Sequence, residues 1–351
     1  MNITPYIFAF IATIISIIVF RPLSFRLGLV DVPSERKHHQ GSVPLIGGSA
    51  MFIGITLGLF SSNMINIEEN LMFFFLCSFI LILTGMVDDF RGVSSNKRFI
   101  FQILVALIVV KLGGVLIEDF GSLISVEKCH LGIFSIALTV FAVVGVINSL
   151  NFSDGIDGLS ASLSLITFIS IAFFAYGIKE NYAFEFVLLF IVSITAFLIF
   201  NLGLFIGSSF KIFMGDAGST FLGLGIAWAL ISFSQGDNLI FSPVTALWIF
   251  AVPLIDTIFV MIRRISHGKS PFAPDREHLH HFLILYGWTD RQALSIIIIM
   301  AVTMASSGIA MEINDFPERL MFLLFVVISF IYFFVLRRAW KLINVKKIYT
   351  E

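Results

Sequence analysis

Apolar stretches recur along the chain with short polar segments between them, at residues 3–20, 44–62, 71–87, 99–111, 131–147, 159–177, 183–203, 217–234, 244–262, 293–310 and 320–336. A helix needs roughly 20 apolar residues to cross the hydrocarbon core of a bilayer, with about 17 to 25 tolerated. The pattern therefore predicts an all-α polytopic membrane protein of eleven transmembrane helices. The fourth stretch is the shortest, ended by Lys111 and the Gly113-Gly114 pair. An odd number of spans puts the termini on opposite sides. Met1–Phe8 has no positive region and no small-residue cleavage site follows its apolar run, so 3–20 reads as a retained first span. No loop is long enough to bury a core of its own, and no internal repeat is visible, so residues 1–351 form one membrane domain.

Charge gives this pattern a direction. With the first loop placed inside, all of the 22 Lys and Arg except Lys111, Lys128, Lys179 and Arg319 fall in inner loops or the C-terminal tail. The positive-inside bias then puts the N-terminus outside and the C-terminus in the cytoplasm. The composition, 58% hydrophobic and 13% charged with a mean hydropathy of +0.99, excludes an ordinary soluble protein. Membrane lipid is the solvent of this surface, and no nucleic-acid partner is expected. Two cysteines, one in an apolar run and one in a loop, supply neither a disulfide framework nor a thiolate metal site.

Four inner loops carry polar groups that a simple helix end does not require. Asp88 and Asp89 end the third stretch, where two like charges at a hydrocarbon boundary call for a cation. An isolated pair solvated beside Arg91 would read equally well. A prenyl-diphosphate DDxxD motif is excluded by Gly92 and Val93. Asn148, Asn151, Asp154 and Asp157 recur every three residues, which would set them along one side of a helix. An N-cap at Asp154 or Asp157 explains one of these residues but not four. Lys211 to Thr220 holds a Gly-flanked Asp216 whose following N–H groups suit an anion or a metal-bound phosphate, and a cap at Asp216 explains it equally well. Arg263, Arg264, Lys269, His278, His280 and His281 read as a polyanion grip, since HExxH is absent and the i, i+2 histidines do not share a helix face. Asp256 lies about 10 Å deeper than Arg263 along a helix and suits either a site role or a bond to a neighbouring span.

Together, acids at the inner ends of several spans and a cation grip on the same face describe a site for a magnesium diphosphate. The motifs then carry a resemblance. Lys37-His38-His39-Gln40-Gly41 with Pro44-Leu45-Ile46-Gly47-Gly48, the Asp88-Asp89 pair, the Asn148 to Leu159 run, Phe213-Met214-Gly215-Asp216-Ala217-Gly218-Ser219, and Ser270-Pro271-Phe272 through His281 together resemble the polyprenyl-phosphate N-acetylhexosamine-1-phosphate transferases over nearly the whole chain. The resemblance implies an all-helical bundle in the bacterial cytoplasmic (inner) membrane with a site facing the cytoplasm. It implies Mg²⁺, or Mn²⁺, as cofactor and transfer of a sugar phosphate from a UDP-sugar, here UDP-N-acetylglucosamine, to undecaprenyl phosphate with release of UMP.

By the same resemblance Asp88, Asp89 and Asp157 are catalytic, and Asp216, with Asp89, binds metal. Asn148, Asn151, Asp154, Lys211, Arg264, His278, His280 and His281 bind substrate. The ending Asp275 to His281 fits the simple N-acetylhexosamine branch rather than the muramoyl-pentapeptide one. Arg91-Gly92 stands where relatives often carry a further acid. A route through a phospho-sugar aspartate and the oligomeric state both stay open. Two other classes fit less well: an ion-coupled transporter has only Asp256 near mid-membrane, and a CDP-alcohol phosphotransferase needs an arginine that Asp157 to Ser162 lacks.

Overall fold

The computed structural model describes residues 2–32, 41–62, 70–123, 130–178, 182–204, 207, 210–236, 239–270 and 277–350. Lys37, His38, His39, Gln40, Asp275 and Arg276 lie outside them. Thirteen helices follow in order: α1 (Thr4–Leu27), α2 (Gly47–Ser61), α3 (Asn70–Arg91), α4 (Ser95–Lys111), α5 (Ser135–Phe152), α6 (Leu159–Ala175), α7 (Tyr182–Asn201), α8 (Gly215–Ser232), α9 (Pro243–Ile249), α10 (Ala251–Ser266), α11 (Leu279–Leu285), α12 (Asp290–Ile313) and α13 (Glu318–Thr350). Each of the eleven apolar stretches is helical, and the ninth is broken at Phe250 into α9 and α10, which meet at 82°.

Among the described residues, six helices are long and apolar enough to cross a membrane, or seven with α9 and α10 counted as one span. The chain is thus a multi-pass helical membrane protein, with fewer qualifying spans than the eleven expected. Three of the others, α2, α4 and α6, are 15, 17 and 17 residues long, and α8 differs in its packing. α8 sits at the centre of the bundle with Gly215 and nearly every residue from Ala217 to Ile231 buried. A helix sheathed in protein meets no lipid, so its composition need not satisfy the hydrocarbon.

Small residues make that central position available, because bundles in lipid gain most from close backbone approach. A Cβ on Gly48 of α2 would lie 2.3 Å from the Gly218 Cα, one on Gly85 of α3 would lie 2.3 Å from the Ala217 Cα, and one on Gly223 would lie 2.6 Å from the Ile147 Cα of α5. Farther along, Phe74 meets Phe186 and Trp228 at ring-centroid distances of 5.2 Å each, and Phe168 stacks on Phe190 at 4.5 Å. Glycines draw α8 to its neighbours at one end, and aromatic rings fill the space at the other.

A two-residue ribbon ties the start of α2 to the start of α8. β1 (Val30–Asp31) pairs antiparallel with β2 (Val43–Pro44), and the chain after β2 continues the pairing onto the next segment. The Phe213 N–H donates to the Pro44 carbonyl at 2.8 Å, and Gly47 and Gly48 donate to the Phe213 and Met214 carbonyls at 3.0 Å each. The Pro44 to Gly48 motif therefore works as a strap that holds the segment leading into Asp216. A Gly85→Val variant is expected to force α3 off α8 at a cost of about 1–3 kcal/mol, read as a lowered melting temperature of the detergent-purified protein.

Candidate active site

Asp88 and Asp89 are neighbours in sequence with different tasks. The Asp89 carboxylate accepts the backbone N–H of Asp216 at 2.8 Å and of Ala217 at 3.3 Å, so α3 caps the N-terminus of α8. Those N–H groups, expected to be open to an anion, are occupied by Asp89. Asp216 is not its own helix's cap either. Gly215 is required here: its φ is +73°, and a Cβ would come within 2.5 Å of Asp89 Oδ2.

Asp88 turns the other way. Its Oδ1 accepts the Val93 N–H at 2.6 Å, and its Oδ2 accepts Arg98 Nη1 at 2.7 Å. The same guanidinium nitrogen donates to Asp216 Oδ2 at 3.1 Å. Arg98 is thus the cation that the paired acids demanded, and the sequence reading counted it only as loop charge. Its place on the first turns of α4, facing back across a short loop to α3, was the available signal.

The other oxygen of Asp216 accepts Asn151 Nδ2 at 2.6 Å, and Asn151 also donates to Ser219 Oγ at 2.9 Å. One turn earlier on α5, Asn148 donates to Gln102 Oε1 at 2.6 Å. Ser219 and Gln102 join the site without having been singled out. α5 ends at Phe152, so Asp154 and Asp157 stand in the turn beyond it and the four residues do not share one helix face. Neither aspartate caps α6, whose N-cap is Gly158.

Asp154 accepts Ser160 Oγ at 2.6 Å. Surrounding protein mass pushes its carboxyl pKa up to about 7, with Ser160 opposing and Asp216 and Asp157 adding to the rise. Asp157 pairs with Lys211, whose ammonium lies 5.0 Å from the Phe213 ring centroid.

Phe152, next in sequence to Asn151, meets the basic loop. The Arg264 guanidinium lies 5.2 Å from its ring centroid and the His278 ring packs at 5.2 Å. A desolvated cation over a ring in this way is worth about 2 kcal/mol. The His278 and His280 rings are parallel at 6.1 Å, and His280 and His281 are 4.0 Å apart. Burial, with His281 and His278 adjacent, holds the His280 pKa well below its usual value. His280 therefore enters the site as a neutral hydrogen-bonding group, while Arg264 carries the fixed charge. Among the described residues, His280 Nε2 is buried without a hydrogen-bond partner and abuts Gly155, where a Cβ would lie 2.0 Å away.

Asp256 resolves to a bond between elements. It accepts from His278 Nδ1 at 2.8 Å, from the Leu279 N–H at 3.0 Å and from the Tyr332 hydroxyl at 2.7 Å.

A cavity of about 250 Å³ opens between α3, α4, α5 and α8. Leu81, Val87 and Phe101 line its apolar part, and Asp88, Arg98 and Asp216 stand at its polar end. A second cavity of about 210 Å³, beside Gly113, Tyr182 and Trp228, lies toward the other end of α3 and touches none of these groups. An apolar slot ending in charge, next to an arginine and histidine grip, suits a substrate with an apolar tail and an anionic head beside a second polyanion.

Fold and site together define a multi-pass helical membrane protein with a cluster of acids, Arg98, Arg264 and histidines at one end of its bundle. The family model described as "Glycosyl transferase family 4" matches residues 71–234, the part holding Asp88, Asp89, Asn151 and Asp216. The chain is 36% identical over 341 residues to the undecaprenyl-phosphate alpha-N-acetylglucosaminyl 1-phosphate transferase of Escherichia coli K12, covering 96% of this chain and 92% of that protein. Proteins of the same name from Salmonella typhi and Haemophilus influenzae are 36% identical over 333 residues and 38% over 336, each covering 95% of this chain and 90% and 93% of their own lengths. The chain belongs to glycosyl transferase family 4 and is a transferase.

Because Asp89 serves the fold through two backbone bonds, Asp89→Ala is expected to cost about 2 kcal/mol of stability. Thermal unfolding in detergent should show a clear drop for Asp89→Ala.

Proposed function

We propose that the protein transfers N-acetylglucosamine-1-phosphate from UDP-N-acetylglucosamine to undecaprenyl phosphate, giving undecaprenyl-diphospho-N-acetylglucosamine and UMP. The product would start a lipid-linked glycan of the O-antigen or enterobacterial common antigen type. The reading places the site on the cytoplasmic face of the bacterial inner membrane, in line with the bias of basic residues toward that side. The observation that carries it is the Asp88–Arg98–Asp216 cluster at the polar end of an apolar cavity, with Arg264 and His278 packed on Phe152, the residue after the Asn151 that donates to Asp216. The names of the relatives supply the substrate classes.

In this reading an oxygen of the lipid phosphate attacks the β-phosphorus of the UDP-sugar. A new P–O bond forms, the bond from that phosphorus to the bridging oxygen breaks, and its electron pair leaves on UMP. A phosphate monoester has its second pKa near 6, so the attacking group is already largely a dianion at neutral pH. Deprotonation adds little, and bringing two polyanions together is the larger barrier. Arg98 answers it on the acceptor side and Arg264 on the donor side. Asn151 orients Asp216, and Asp157 orients Lys211. Asp154, above its ordinary pKa, offers a hydrogen bond as well as charge. Asp88, with one oxygen on a backbone N–H and the other on Arg98, suits an electrostatic role better than that of a nucleophile.

Mg²⁺ or Mn²⁺, when bound, supplies charge neutralisation of the phosphates. Among the described residues no three His, Cys, Asp or Glu side chains converge as a cage. Magnesium asks for less, since one or two carboxylates with substrate phosphates and water complete its shell. Asp88 and Asp216, close enough to share one guanidinium nitrogen, fit that need, and Asp89 fits it less well because it is committed to α8.

Membrane vesicles given labelled UDP-N-acetylglucosamine and undecaprenyl phosphate should form labelled lipid and UMP, and a chelator should stop the reaction. Asp88→Asn and Asp216→Asn should each lower turnover at least about 100-fold, the scale of losing a charge-stabilising group. Near-normal turnover in both variants, or no label in the lipid, would overturn the reading. Competition by UDP-N-acetylgalactosamine reports the strictness of sugar choice.

A further inference from the structure

One buried carboxylate holds three elements at the rim of the site, and the reaction described above does not need it to touch a substrate. Asp256 is 6% exposed on α10, with His278 at 3% beside it. Two of its three donors are consecutive, the His278 side chain and the Leu279 N–H at the start of α11, and the third is Tyr332 on α13. Tyr332 is itself packed edge-on against Phe259 of α10, with ring centroids 6.0 Å apart. Charge is costly to bury, and an apolar residue would fill the same space at less cost if filling were the only task. Three converging donors indicate that direction matters.

The chemistry of imidazole makes the consequence specific. A carboxylate at Nδ1 accepts, so the ring carries its proton there and Nε2 is left as the nitrogen available to a ligand. The same carboxylate fixes the start of α11, the helix that carries His280 and His281. We infer that Asp256 is the positioning residue of the donor diphosphate grip. It sets the tautomer and direction of His278, docks α11, and through Tyr332 ties the pose of the grip to α13. This rests on the donor-site reading above. It adds a residue outside the phosphate contacts, and it adds the last helix of the bundle as a support of the site.

Asp256→Asn tests it, because the change keeps the size and one accepting oxygen but turns an NH₂ toward His278 Nδ1. The imidazole proton is then driven to Nε2. The full-length purified variant should show a donor KM raised roughly tenfold or more, the scale of a lost hydrogen bond to a charged group. The acceptor KM should stay within about twofold, because the change is confined to the donor side. Tyr332→Phe removes one donor without emptying space and should raise the donor KM about threefold.

A purely structural role would instead lower the active fraction, so kcat would fall with both KM values unchanged. That result, or an unchanged donor KM in both variants, overturns the inference. If Asp256→Asn does not fold, Tyr332→Phe decides alone. Wild-type protein in the same assay separates the two levels: absence of lipid-linked product refutes the function, whereas normal product without the KM split refutes only the role of Asp256.

Discussion

The first N–H groups of a buried helix must find acceptors, and here α8 takes them from a different helix. Asp89 reaches across from α3 to the N–H groups of Asp216 and Ala217. This contact is possible only because Gly85 lets α3 lie against α8 and Gly215 leaves room for the carboxylate. Leaving such groups unpaired away from water would cost about 1–3 kcal/mol each. The bond therefore sets the register of α3 on α8, and with it the separation of Asp88 from Asp216. The Pro44 to Gly48 strap holds the same junction from the other side.

Around that junction the charges are nearly balanced before any substrate arrives. Arg98 sits between two carboxylates, Lys211 is paired with Asp157, and His280 is kept neutral by burial. Arg264 lies over the face of Phe152, with its guanidinium 5.2 Å from the ring centroid.

Much of this arrangement was readable from the chain, and the rest fails for identifiable reasons. Apolar runs located every long helix, and acids at their inner ends, Asp88, Asp89 and Asp216, lie together in the structure. The joining of Asn151 to Asp216, and of Arg264 and the histidines to the acid run, follows the expected grouping. Arg98 was overlooked because basic residues near loops are already accounted for by topology, and only distance distinguishes a topological charge from a bonded one. The sequence points to Asp89 as a catalytic and metal-binding acid and not as a cap for α8, because a cap supplied across 127 positions leaves no local signature. The three-residue spacing from Asn148 to Asp157 suggested a helix that stops at Phe152, where the glycines at 155 and 158 take over. Fewer helices pass the span rule than there are apolar runs, because α2, α4 and α6 are 15, 17 and 17 residues long and α8 is lined by protein rather than lipid.

The break at Phe250 gives the molecule a lever. α9 is the short arm, clamped where Glu312 accepts Ser242 N–H, Ser242 Oγ and Thr245 Oγ1 at 2.8, 2.6 and 2.6 Å, and where Trp248 Nε1 donates to the Met321 carbonyl at 3.3 Å. α10 is the long arm, and Arg264 rides about 21 Å from the pivot at 1.5 Å per residue. Each degree at the pivot then displaces that arginine by about 0.4 Å. Misplacement of about 1 Å can already cost an enzyme a large factor in rate. The angular tolerance at Phe250 is therefore only a few degrees by the same geometry, which makes the hydrogen bonds of Glu312, remote from any phosphate, part of the accuracy of the site.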